Sequence, residues 1–203
     1  MTPDAVSLIA ITDTPANLID RARAAVRGGA TMIQLRLKDA DARTLTEVGR
    51  ALVAALDVPV VINDRADVAL ACGAAGAHLG ADDVPLSALR RVVPPGFILG
   101  ASAGNDAELD AAGGADYVGI GAVYATGSKA DAGAAIGVAE FARLAARARD
   151  RGIPAVAVGG ITAATAGTLR SAGAAGVAVI SAIFGARDPE TAARAFTQVS
   201  SSA

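Results

Sequence analysis

The chain has 203 residues, 53% of them hydrophobic and 19% charged, so it can bury a substantial core and is not a disordered segment. A formal net charge of −2 gives no electrostatic case for nucleic acid or an anionic membrane surface as partner. A single cysteine, Cys72, excludes an internal disulfide framework, and 3% aromatics with no Trp require a core of Ala, Val, Leu and Ile.

The opening residues, Met1-Thr2-Pro3-Asp4, lack the basic region of a signal peptide, and no apolar run is long enough to span a bilayer. The expectation is a soluble, cytoplasmic protein. A first strand is expected over 6–12, then a helix over 16–27 closed by Gly28-Gly29. The second strand is read from Thr31 to Lys38. Side chains at alternate positions of a strand share a face, so Gln34, Arg36 and Lys38 point one way and Leu35 and Leu37 the other. The leucines suit packing under a helix, while the amide and two cations need water or anionic partners. Taken alone, this stretch reads either as a solvated edge or as a grip on a phosphorylated ligand.

A helix over 45–56 and a strand over 59–62 follow, the strand ending at Asn63-Asp64. The next helix spans 66–72 and sets Cys72 among Ala and Gly, as a buried, inert thiol. A short strand over 77–79 runs into Gly80-Ala81-Asp82-Asp83, before a helix over 86–93 and Pro94-Pro95. The fifth strand, 97–101, ends near Ser102, with a helix over 107–112 after it. The sixth, 116–121, opens a long Gly/Ala-rich loop and a helix over 138–151. The seventh, 155–158, runs into Gly159-Gly160 and a helix over 163–171, and the eighth, 176–180, precedes a final helix over 189–199.

Regular strand-then-helix alternation implies a parallel sheet with right-handed crossovers, and eight such units imply a closed (β/α)₈ TIM barrel. One catalytic domain over residues 1–203 is expected, because no linker or composition break interrupts the series. An open doubly wound sheet is the alternative, and it leaves the count of eight a coincidence.

In such a barrel the reactive residues lie at the carboxyl ends of the strands. The polar residues of this chain fall there: Gln34, Arg36, Lys38, Asn63, Asp64, Asp83, Ser102, Thr126, Ser128, Lys129 and Ser181. Asp64 and Asp83 taken singly read as helix caps; taken as a pair at one mouth they suit Mg²⁺, which uses one or two carboxylates plus substrate oxygens. Arg36, Lys38 and Lys129 add cations, which points to a diphosphate. The loops holding Gly160 and Ile180-Ser181 occupy the places where barrels commonly build a phosphate site, although Gly159-Gly160 also fits a plain turn. His78, the one histidine, reads as a packing residue, and no Ser-His-Asp or Cys-His set can be assembled.

The motifs Ile11-Thr12-Asp13, Gln34 to Lys38, Ile62-Asn63-Asp64-Arg65, His78-Leu79-Gly80 with Asp83, Gly100-Ala101-Ser102, Thr126-Gly127-Ser128-Lys129, Val158-Gly159-Gly160-Ile161 and Val179-Ile180-Ser181 together resemble the thiamine phosphate synthase family over essentially the whole chain. The resemblance implies condensation of a hydroxymethylpyrimidine diphosphate with a thiazole phosphate, or its carboxylated form, with loss of pyrophosphate. It implies Arg36, Lys38 and Lys129 as catalytic cations, and Asp64 and Asp83 as ligands of Mg²⁺. It implies Gln34, Leu35, Arg36, Leu37, Lys38, Asn63, Ser102 and Lys129 around the pyrimidine diphosphate. The thiazole phosphate would meet Thr126, Gly127, Ser128, Gly160, Ile180 and Ser181. Partners are therefore small phosphorylated molecules, not nucleic acid or membrane, and a homo-oligomer is left open.

Departures exist. Ala122 and Ala125 stand where relatives often have proline, Ile9 replaces a common tyrosine, and Leu37 replaces a common acidic residue but is expected to face away from the site. Ala103-Gly104 follow Ser102 where many relatives carry a histidine; a tautomerase-type relative uses that histidine and loses the diphosphate and metal residues, so the complete cationic set here argues against isomerisation alone as the activity. A non-catalytic binding protein that kept the fold and one phosphate pocket is a further alternative.

Overall fold

Eight parallel strands close on themselves in a computed structural model that describes residues 2–13, 16–127 and 134–198. The strands are β1 (Leu8–Ile11), β2 (Met32–Leu35), β3 (Val60–Asn63), β4 (Gly76–Leu79), β5 (Ile98–Ala103), β6 (Tyr117–Ile120), β7 (Ala155–Val158) and β8 (Gly176–Val179). Sequential strands are neighbours, and β1 pairs with β8 through Leu8↔Val177 and Ala10↔Val179. No strand is left as an edge. This is the (β/α)₈ barrel the alternation implies.

Helices α1 (Leu18–Arg27), α2 (Ala42–Ala55), α3 (Ala66–Cys72), α4 (Leu86–Leu89), α5 (Asp106–Ala111), α6 (Gly137–Asp150) and α7 (Ala163–Ser171) connect successive strands. After β8 come a single turn, α8 (Ser181–Phe184), and the last helix, α9 (Pro189–Gln198). A 3₁₀ turn over Pro3–Val6 precedes β1.

The period-two pattern sorts the core into two layers. Leu8, Ala10, Ile33, Leu35, Val60 and Ile62 face outward into the layer shared with the helices. Ile9, Ile11, Met32, Val61, Tyr117, Val156 and Ala178 face inward and fill the lower barrel. Burying each of the larger aliphatic side chains contributes about 1.5–3 kcal/mol, so both layers hold the strands in register. Cys72 is buried beneath α2, and burial pushes its thiol pKa up, as expected of an inert packing residue.

Several boundaries differ from expectation. β2 stops at Leu35, and Arg36 to Lys38 are a loop entering a turn, so strict alternation is lost there. Leu37 consequently both packs on the outer core and lines the cavity described below, contrary to the expectation that it faces away. α4 has only 4 residues rather than the eight expected, because beyond Leu89 the bonding mixes i−3 and i−4 acceptors before Pro94. α8 was not anticipated as a separate element.

Candidate active site

The inward positions change character toward the carboxyl ends of the strands. Above Met32 on β2 sits Gln34, above Val61 on β3 sits Asn63, and β4 and β5 contribute His78 and Ser102. These polar side chains form the floor of a cavity of about 1270 Å³ opening at that end. Sites for one drug-sized ligand run to about 1,000 Å³, so this space accommodates two small substrates together.

Gln34 is 3% exposed, and its Nε2 donates to Asn63 Oδ1 at 2.7 Å. The loop carrying Arg36 is fixed from β1: the buried Thr12 accepts from Arg36 N at 2.8 Å and its hydroxyl donates to Arg36 O at 3.1 Å. Arg36, Leu37 and the exposed Lys38 line the cavity beyond that clamp.

Asp64 and Asp83 line the same mouth. Neither stands at an N-cap position: the N-cap of α3 is Arg65 and that of α4 is Pro85. Asp64 instead has a left-handed backbone, φ 63°, with its N–H bonded to His78 O at 2.8 Å. Asp83 Oδ2 accepts from Gly80 N at 2.7 Å, which fixes the carboxylate at the end of β4. Arg65 also reaches the cavity, but its guanidinium is bonded bidentately to Asp67, at 2.8 and 2.6 Å. That contact holds the Asp67 carboxyl below the usual carboxylate range. Among the described residues no group of three or more His, Cys, Asp or Glu is placed to hold a metal unaided. The pair of carboxylates fits instead the oxygen-poor set that Mg²⁺ completes with substrate oxygens and water.

Across the barrel, the described residues that line the cavity after β6 to β8 supply backbone rather than charge. Gly159 and Gly160 have φ of 96° and 65°, and a Cβ on Gly160 would stand 2.6 Å from Ala125 O. Glycine is thus required both for the turn and for its approach to the loop after β6. Tyr124 N donates to Gly159 O at 3.1 Å, tying the two loops together. Ile180 and Ser181 open α8, and Arg21 on α1 anchors its far end by donating to Phe184 O and Ala186 O, both at 2.6 Å. Thr126, Gly127, Gly160, Ile180 and Ser181 all line the cavity, while Ser128 and Lys129 lie outside the described residues.

Three residues, His78, Tyr117 and Thr12, have roles at the cavity that the sequence pattern did not assign. His78 is not simply packed: Nδ1 lies 3.0 Å from Tyr117 Oη and Nε2 lies 3.0 Å from Ser102 Oγ. Strand parity was the available signal, since His78 shares the inward face with Asn63, Ser102 and Tyr117. Thr12 gave none, because its partner is backbone.

A (β/α)₈ barrel with this cavity at the carboxyl ends of its strands defines a barrel enzyme of small-molecule substrates. The thiamine monophosphate synthase family model matches residues 8–183, and the chain belongs to that family. It is 48% identical over 188 residues to the thiamine-phosphate synthase of Roseiflexus castenholzii, covering 90% of this chain and 81% of that one. It is 45% identical to that of Chlorobium luteolum, covering 97% and 94% of the two chains. The solved thiamine phosphate pyrophosphorylase from Pyrococcus furiosus superposes with a TM-score of 0.84 at 35% identity, covering 97% of this chain and 96% of that one. A 3-hexulose-6-phosphate synthase, 20% identical with a TM-score of 0.71, shares the fold.

Proposed function

We propose that this chain joins a hydroxymethylpyrimidine diphosphate to a thiazole phosphate, giving thiamine phosphate and pyrophosphate. It is a transferase of thiamine biosynthesis. One observation carries the residue assignment: among the described residues Arg36, Lys38 and both carboxylates come from β2 to β4, and the glycine turn and α8 from β7 and β8, on opposite walls of one cavity.

On the first wall Arg36 and Lys38 grip the diphosphate, Asn63 adds an amide, and Gln34 and Ser102 meet the pyrimidine ring. Leu35 and Leu37 supply apolar contact beside them. Asp64 and Asp83 would hold Mg²⁺, which, when bound, neutralises charge on the departing pyrophosphate. On the second wall the backbone at Gly160, Ile180 and Ser181, with Thr126, Gly127 and Ser128, holds the thiazole phosphate. Lys129 belongs to the diphosphate set. The C–O bond to the diphosphate breaks with its electron pair leaving on pyrophosphate, and the thiazole nitrogen forms the new C–N bond to the methylene carbon. Arg36 and Lys38 stabilise the developing charge, and the two walls set the distance between the reacting atoms. No protein nucleophile is used.

Among the described residues no helix is long and apolar enough to cross a membrane, and we place the enzyme in the cytoplasm. The direct test is purified protein with both phosphorylated substrates and Mg²⁺, followed by detection of thiamine phosphate. A folded protein that yields none would sink this reading.

A further inference from the structure

Tyr117 is 1% exposed, and its hydroxyl reaches into the barrel beside Gly100, where a Cβ would stand 2.5 Å from Tyr117 Oη and 2.6 Å from His78 Nδ1. The missing side chain at Gly100 is what lets the phenol and the imidazole meet. Their ring centroids lie 5.4 Å apart, inclined at 32°. Burial pushes the Tyr117 pKa up, so the phenol keeps its proton. Among the described residues, the one hydrogen bond to that hydroxyl is the 3.0 Å contact with His78 Nδ1.

The polarity of this bond follows from the hydrogen count. If Nδ1–H donated to Tyr117, the phenolic hydrogen would be buried without an acceptor, which folded interiors avoid. The phenol therefore donates to Nδ1. A neutral imidazole carries one N–H, which then resides on Nε2. That N–H points at Ser102 Oγ, 3.0 Å away, so Ser102 accepts from His78 and its own hydrogen is left for the cavity it lines.

We propose that Tyr117 and His78 are positioning residues that fix the Ser102 hydroxyl as a hydrogen-bond donor to an acceptor nitrogen of the substrate's heteroaromatic ring. The ligand half of this inference rests on the pyrimidine substrate assigned above; the tautomer does not. With the donor direction built into the barrel floor, a ring that presents C–H at that place leaves a buried hydroxyl unpaired and is rejected.

The chain's single histidine makes the tautomer directly readable. In untagged, ¹⁵N-labelled protein at mildly alkaline pH, two-bond ¹H–¹⁵N spectra should show an unprotonated Nδ1 and a protonated Nε2. Tyr117→Phe, which removes only the hydroxyl, should shift both nitrogens toward the tautomer average. A proton on Nδ1 in the wild type, or unchanged spectra in Tyr117→Phe, would overturn the proposal. In kinetics, Tyr117→Phe should raise KM for the pyrimidine diphosphate by roughly 10-fold and leave KM for the thiazole phosphate unchanged. His78→Gln, which keeps an N–H near the Nε2 position, should retain more activity than His78→Leu. Equal effects on both KM values, or equal loss in the two His78 variants, would reduce the pair to a structural role. A wild-type protein inert with both substrates sinks the synthase reading and the ligand assignment, while the spectra still decide the tautomer.

Discussion

The Gln34 amide donates to Asn63 Oδ1 at 2.7 Å, joining the ends of β2 and β3 just below the cations and carboxylates. Gln34 is nearly fully buried, so Asn63→Ala strands its amide. The expected loss is about 1–3 kcal/mol of stability, with a fall in kcat/KM. Thermal unfolding and steady-state kinetics check both; an unchanged melting temperature would show that the amide finds another partner.

Asp83 has two separable jobs. Its Oδ2 accepts from Gly80 N, and its charge would serve a divalent cation. Asp83→Asn keeps an oxygen for the turn, while Asp83→Ala keeps neither feature. Both variants are expected to lose activity steeply and to need more Mg²⁺, whereas only Asp83→Ala should also lower the melting temperature. Magnesium titrations that superpose on the wild type would remove Asp83 from the metal site.

Thr12 holds the Arg36 backbone through two hydrogen bonds, of 2.8 and 3.1 Å. Thr12→Val keeps the shape and deletes both. We expect about 1–3 kcal/mol of destabilisation. KM should rise for the pyrimidine diphosphate and stay level for the thiazole phosphate, whose proposed site lies on the far wall. Equal rises in both would mean that the clamp supports the barrel generally.

On the outer surface Arg143 forks between Asp106, at 3.0 and 2.8 Å, and Glu140, at 2.9 and 2.6 Å. The guanidinium holds both carboxyls below their usual range. A carboxyl whose folded pKa is depressed stabilises the fold above its unfolded pKa, and that contribution is lost as pH falls through the folded value. Stability should therefore drop below about pH 4, and Arg143→Ala should flatten that drop. The difference should shrink in high salt, because these groups are solvent-exposed. Parallel pH–melting curves for the two proteins would refute the assignment.

The eightfold alternation of apolar strands with Ala-rich helices pointed to the barrel, because right-handed crossovers set successive strands parallel and side by side, and eight such units are the number that closes. It also determined which strand ends carry polar residues, since parity alone sets Gln34, Asn63 and Ser102 on the inner face. Tertiary structure decided what local pattern does not encode. β2 ends at Leu35 because Thr12, 24 residues away from Arg36, captures the following backbone. Asp64 and Asp83 fall outside the N-cap positions, taken by Arg65 and Pro85, through backbone geometry that no side-chain spacing announces. His78 looked like packing in a three-residue strand; it became part of the floor because Gly100 leaves room for Tyr117 beside it. Contacts between strands that are distant in sequence depend on register and on the space a missing side chain leaves, and both are set only when the barrel closes.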